Sequence, residues 1–194
     1  MRRYERRDPD CRRQYLERHR GRAGAQGGDG GCWCTFWRLT NEVIHDRTPA
    51  DNRALLKNLV TSGEPAGLVL YVDGAPAGWC QVAPRPQFPR LFRTRGLEPG
   101  DATDTSVWSI VCVYLTRAAR GHSHADLLVA AAAGYAARQG ASVVEGYPVT
   151  DAGTGRRSQL SSGTVGMFER AGFSMPAPPA GRRVLMRLQV TPGR

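Results

Sequence analysis

The chain is short of lysine. Of its 27 basic residues among 194, only Lys57 is lysine, and with 17 acidic residues the net charge is +10. So much Arg beside so much Ala, Gly and Pro reads in part as compositional drift, so the charge alone is weak evidence for a polyanionic partner. No apolar run approaches the ~20 residues of a membrane span, which excludes a spanning helix. The basic N-terminus is not followed by an apolar stretch, so no secretory signal is expected and a soluble cytoplasmic protein is. Paired cysteine spacing is missing too. A lone Cys32-x-Cys34, with Cys11, Cys80 or His45 as further ligands, lacks the second pair of a zinc module, and no metal is expected. Aromatic residues are not interleaved with the basic N-terminal run, which argues against a stacking platform for single-stranded nucleic acid.

What is present is organised around residues 107–137, VWSIVCVYLTRAARGHSHADLLVAAAAGYAA. Val107 to Leu115 is apolar, broken only by Ser109 and Cys112, as suits a strand covered on both faces. Ala125 to Ala137 is Ala/Leu-rich and helical, apolar nearly all round, and Gly140 sits where a C-terminal cap belongs. Between them lie Arg117, Arg120, Gly121 and Ser123. Backbone N–H groups at a helix N-terminus bind phosphate oxygens, and arginines add charge-assisted hydrogen bonds. The junction is either a pyrophosphate cradle or an ordinary turn with solvated arginines.

Residues 1–31 form a separate segment with nine Arg, five acidic residues and a Gly-rich end. It is either a basic arm for nucleic acid or an acidic partner, or a flexible or loosely docked extension. The globular part is expected over 32–190. CWCTFWRL, from Cys32, reads as a first strand. Thr48-Pro49-Ala50-Asp51 starts a helix: Thr as N-cap, Pro at the first position, an acid in the first turn. Leu68 to Val72 and Ala77 to Val82 are strands around an Asp73-Gly74 hairpin turn. Residues 84–104 are a long ordered loop. Ser142 to Pro148 is a strand, Thr164 to Arg170 a short helix ended by Gly172, and Arg183 to Leu188 a last strand.

The turn Arg120-Gly121-His122-Ser123-His124-Ala125 resembles the Q/R-x-x-G-x-G/A motif of the GNAT acyl-CoA N-acyltransferases, with Ser123 where the middle Gly is usual. The segment GMFERAGF at Gly166–Phe173 is similar to the family's closing helix and turn. The order of elements over about residues 32–190 is that family's order. The blocks GWCQVAPR, VWSIVCVYL and VEGYPV further resemble an actinobacterial branch of it. The resemblance implies a mixed α/β fold: a twisted, mostly antiparallel sheet of six to seven strands, its parallel central pair splayed to admit CoA, flanked by helices. It implies acetyl-CoA or another acyl-CoA as co-substrate. It assigns the pantetheine arm to Val113, Tyr114 and Leu115, and the pyrophosphate to Arg120, Gly121, His122, Ser123, His124 and Ala125.

Acyl transfer to an amine needs a base for the amine proton and an acid for the leaving thiolate. Many members of the family use a Tyr in the closing helix as the acid, and here the matching position is Phe168. Period-two alternation puts Val143, Glu145 and Tyr147 on one strand face. Glu145 and Tyr147 are thus a candidate base and acid, or else a structural ion pair and a packed aromatic. Asp104 is a second candidate base. Cys112 is either an acyl-accepting nucleophile or a small core residue. The expected activity is N-acetyltransfer by direct attack, to a small-molecule or peptide amine, by a monomer or homodimer. The alternatives are a GNAT-fold acyl-CoA sensor without turnover and a basic, RNA-associated acyltransferase. Loops 83–104 and 149–162 are expected to shape the acceptor pocket.

Overall fold

The computed structural model describes residues 31–193, apart from 45, 96, 98–99, 151–160 and 179–180. The N-terminal arm, but for Gly31, lies outside the described residues, as do Cys11, His45 and most of loop 149–162.

Two helices open the described chain, α1 at Asn41–Ile44 and α2 at Pro49–Thr61. At the start of α2 the Thr48 hydroxyl accepts from Asp51 N–H and the Asp51 carboxylate accepts from Thr48 N–H. This reciprocal box satisfies two donors that a helix start leaves unpaired. Next comes the hairpin of β1, Leu68–Val72, and β2, Ala75–Pro84. Asp73 and Gly74 both have positive φ, 50° and 74°, as a type I′ turn requires. β3 is Val107–Leu115, α3 His124–Arg138, β4 Val143–Gly146, α4 Val165–Arg170 and β5 Met186–Gln189.

Among the described residues five strands form one sheet in the order β1-β2-β3-β4-β5. Only β3 and β4 are parallel, joined by the α3 crossover. The expected count of six to seven strands is corrected by two findings. Cys32 to Leu39 is not a strand: Trp33 and Cys34 take left-handed φ values of 44° and 55°, and Phe36–Arg38 forms a single tight turn. The coil sets Trp33 and Trp37 into two different apolar clusters on one sheet face, and that packing overrides the β preference of the aromatics. Cys32 and Cys34 therefore do not share a strand face. Among the described residues, apart from the β4–β5 ladder, the chain after β4 makes only isolated bridges, Val149 with Thr164 and Arg183, and Ser174 with Arg187.

Each sheet face has its own core. One, under α3 and α4, is built from Cys80, Val82, Trp108, Ile110, Val144 and Leu128. The other carries Trp79, Ala83, Val111 and Tyr147 beneath residues 33–37, α2 and loop 85–97, whose Phe88, Leu91 and Leu97 are buried. α3 is not buried all round. Leu128, Val129, Ala132, Ala133 and Ala136 face the sheet, while Leu127 and Ala130 are exposed.

Candidate functional site

Two features of β3 make an opening. The β3–β4 ladder has its last rung at Ile110 opposite Gly146, while β3 runs on to Leu115. At that rung the sheet face is tightly covered: a Cβ on Gly146 would collide with Phe168 of α4. The two strands thus part above Ile110. β3 also carries a bulge at this level. Gln81 pairs with Cys112 and Val82 with Ile110, so Val111 has no cross-strand partner in β2. Bulges of this kind bend a strand and re-aim its groups beside functional sites.

Beyond the opening is the turn. Thr116 N–H donates to Ala77 carbonyl, and Arg120 Nε donates to Leu115 carbonyl at 3.2 Å, fixing the turn to the strand end. Gly121 has φ 80° and open space around it, so its backbone conformation, not crowding, calls for glycine. Ser123 is left-handed, φ 55°, which costs a non-glycine residue roughly 1–2 kcal/mol. Its side chain makes no capping hydrogen bond to the first turn of α3, so the positive end of a 15-residue helix dipole is left without the usual side-chain cap. His122 is exposed with Nδ1 2.8 Å from Arg120 carbonyl. His124 is buried, with Nδ1 3.0 Å from Ala119 carbonyl, and the two rings stack. The His124 side chain therefore anchors the turn rather than standing in the loop. Asp126, in the first turn, is held by Arg170 of α4 at 2.7 Å.

On the sheet face away from α3, the closed end of the split holds a buried polar group. Glu145 and Tyr147 are fully buried. Tyr147 O–H donates to Glu145 Oε2 at 2.6 Å. With that proton committed, the Ser109 hydroxyl is the donor in its 3.0 Å contact with the Tyr147 oxygen. Glu145 Oε1 accepts from Arg85 at 3.2 Å and from Arg187 at 2.8 Å. An isolated buried carboxylate would be prohibitive, and the two guanidiniums offset that cost. Burial, then the neighbouring Glu145 charge, pushes the Tyr147 phenol well above its ordinary value, so it stays protonated at neutral pH.

The sequence-based candidates are therefore only partly brought together. Glu145 and Tyr147 form one unit. Asp104 is partly exposed, caps the turn at Ser106, and reaches Arg85 only at 3.9 Å. Its hydrogen bonds from the Ser106 side chain and backbone lower its carboxyl, with Arg85 adding to the effect. Cys112 is buried with Sγ 3.1 Å from Cys34 Sγ. Hydrogen bonds with Cys112 and Cys32, then burial, push the Cys34 thiol well up. Among the described residues no group of three or more His, Cys, Asp or Glu is placed to hold a metal, and no helix is long and apolar enough to cross a membrane. Sequence reasoning missed Arg85, Arg187 and Gln81. The one available signal was polarity inside apolar strands, as at Ser109.

A split between parallel strands leading to an uncapped helix start is a fitting site for a long ligand ending in phosphates. The family model for "Acetyltransferase (GNAT) family" matches residues 33–173. No match was found among curated protein sequences. Among solved structures, an aminoglycoside acetyltransferase in complex with coenzyme A and kanamycin is similar at 19% identity and TM-score 0.50, covering 79% of this chain and 85% of that one. The ribosomal-protein-alanine N-acetyltransferase of Brucella melitensis is similar at 16% identity and TM-score 0.51, covering 98% and 99%. The PaiA N-acetyltransferase of Thermoplasma acidophilum, in complex with coenzyme A, is similar at 11% identity and TM-score 0.52, covering 95% and 96%. At these identities the likeness is one of fold.

Proposed function

The chain belongs to the acetyltransferase (GNAT) family, and we propose that it moves an acyl group, most simply acetyl, from acyl-CoA to an amine by direct attack in a ternary complex. The observation that carries this reading is a conjunction. The β3–β4 split opens above Ile110 and Gly146, and the same strand feeds an α3 start that Ser123 leaves uncapped. The turn amides of Gly121, His122, Ser123, His124 and Ala125 would receive the pyrophosphate. Arg120 would add a charge-assisted contact, and Val113, Tyr114 and Leu115 would line the pantetheine arm.

The chemistry proposed for the buried pair is a two-way proton relay. Tyr147 takes a proton from the attacking amine as it passes its own to Glu145 Oε2, a path supported by their 2.6 Å hydrogen bond. Glu145 returns that proton through the same phenol, which delivers it to the departing thiolate. One proton moves from amine to sulfur, and the pair ends as it began. Arg85 and Arg187 hold Glu145 in place, and Asp104 is a second candidate base.

The acceptor would be a small-molecule or peptide amine. The similar proteins include acetyltransferases of both aminoglycosides and ribosomal protein. We place the chain in the cytoplasm, as a monomer or homodimer, and in an actinobacterial branch of the family on the blocks quoted above. The experiment is incubation with acetyl-CoA and a panel of amines and N-terminal peptides, following free thiol. Amine-dependent thiol release supports turnover. Binding of acetyl-CoA with no release across the panel favours the sensor, a reading to which the buried Phe168, lacking a hydroxyl, lends support.

A further inference from the structure

Gln81 is buried completely, and neither its Nε2 nor its Oε1 has a hydrogen-bond partner. Buried amides are nearly always bonded, because an orphaned donor or acceptor loses its hydration and gains nothing. A near-isosteric Met would avoid that loss, so an unbonded carboxamide in the middle of β2 points to a partner that arrives from outside.

Its place says which partner. Gln81 pairs with Cys112 across β2 and β3, on one flank of the bulge at Val111. Alternation along β2 puts it on the same sheet face as Trp79 and Ala83. That is the face of Tyr147, and of Ser109, which bonds Tyr147 and pairs with Ala83. Gln81 therefore lies one strand over from the split, level with Cys112 and so just beyond its closed end at Ile110, on the sheet face where Glu145 and Tyr147 sit. A pantetheine arm laid along Leu115 to Val113 from the turn brings its sulfur toward this end.

We propose that Gln81 binds the acyl group: its Nε2–H donates to the carbonyl oxygen of the thioester, and Oε1 accepts an N–H of the attacking amine. The bond to the carbonyl strengthens as the amine adds and negative charge collects on that oxygen. Oε1 meanwhile aims the amine lone pair at the carbonyl carbon. Gln81 is thus a catalytic residue, one that discriminates acyl-CoA from the product CoA. The inference rests on the acyltransferase reading.

The test uses the full chain, calorimetric titration with acetyl-CoA and with CoA, and the Gln81→Met variant. The wild-type protein should bind acetyl-CoA roughly three- to tenfold more tightly than CoA, the share of one neutral hydrogen bond. Gln81→Met should bind CoA as before and lose that preference, with a melting temperature no lower than wild type. The carbonyl resonance of acetyl-CoA labelled with 13C at the carbonyl should move on binding to wild type and lose most of that movement with the variant. Equal affinity of wild type for the two ligands overturns the proposal, as does a preference that survives in Gln81→Met. A variant that melts far lower or fails to fold also overturns it, because the amide would then be bonded within the protein. If wild type binds neither CoA nor acetyl-CoA, the acyltransferase reading itself fails, an outcome distinct from CoA binding without acyl discrimination.

Discussion

The ring of Phe168 occupies the space where a side chain on Gly146 would begin. The contact sits at the last rung of the β3–β4 ladder, where the strands part. Gly146→Ala should therefore force the ring or the strand to move and destabilise by about 1–3 kcal/mol, as overpacking does. At about 2–4 °C per kcal/mol for a chain of this size, the midpoint should fall by several degrees. Thermal melting checks it. Acetyl-CoA affinity should fall as well, because the contact lies at the rung where the split begins.

Arg120→Ala separates phosphate binding from the rest of the ligand. Acetyl-CoA should weaken by about one to two decades, the range of one charge-assisted phosphate contact, while a pantetheine fragment without phosphates should bind as before. The measurement is a pair of titrations. An equal loss for both ligands would mean that Arg120 acts through its bond to the Leu115 carbonyl, holding the turn to the strand.

Alkaline stability reports on the buried phenol. Tyr147 has its folded pKa raised above the unfolded value of about 10. Its contribution is fully present below pH ~10 and is lost as pH rises above that, since the unfolded chain gives up the proton first. Cys34 and Cys80, both also raised, contribute in the same sense from pH ~8.5. Tyr147→Phe should flatten the limb above pH 10 and leave the thiol part in place. It should lower stability at pH 7 by about 1–3 kcal/mol, because Glu145 Oε2 and the Ser109 hydroxyl lose their partner. Melts from pH 7 to 11 decide it, and an unchanged upper limb would remove Tyr147 from the account.

Glu145→Gln should act on both stability and rate. It removes the buried negative charge beside Arg85, itself buried, and Arg187, and removing one partner of a buried pair costs about 3–5 kcal/mol. The rate with an accepted amine should drop by roughly two to four decades at neutral pH. A folded variant that turns over normally would leave the carboxylate with a structural role alone.

These residues also show where sequence reading succeeds and where it stops. The Thr48 box, the Asp73-Gly74 turn and β3 over Val107 to Leu115 were legible, because each is written in neighbouring residues. α3 was legible to within one residue at either end. Cys32 to Leu39 was misread because its aromatics have strand preference but serve two separate clusters, a demand visible only with the sheet in place. Glu145 and Tyr147 were legible as a pair because they stand two residues apart on one side of an extended run, although β4 itself ends at Gly146. Arg85 and Arg187 stand 60 and 42 residues from Glu145, and no local pattern links them. Neither the collision that requires Gly146 nor the isolation of Gln81 leaves a mark on the sequence.

The claim that acyl-CoA lies along β3 with its phosphates on the α3 turn is tested most directly by amide hydrogen exchange, with and without saturating acetyl-CoA. The account predicts slowed exchange concentrated in two stretches, Val111 to Leu115 and Gly121 to Ala125, with the second stretch unprotected when a pantetheine fragment replaces the whole ligand. Protection elsewhere with both stretches unchanged, or no protection at any ligand concentration, would contradict it.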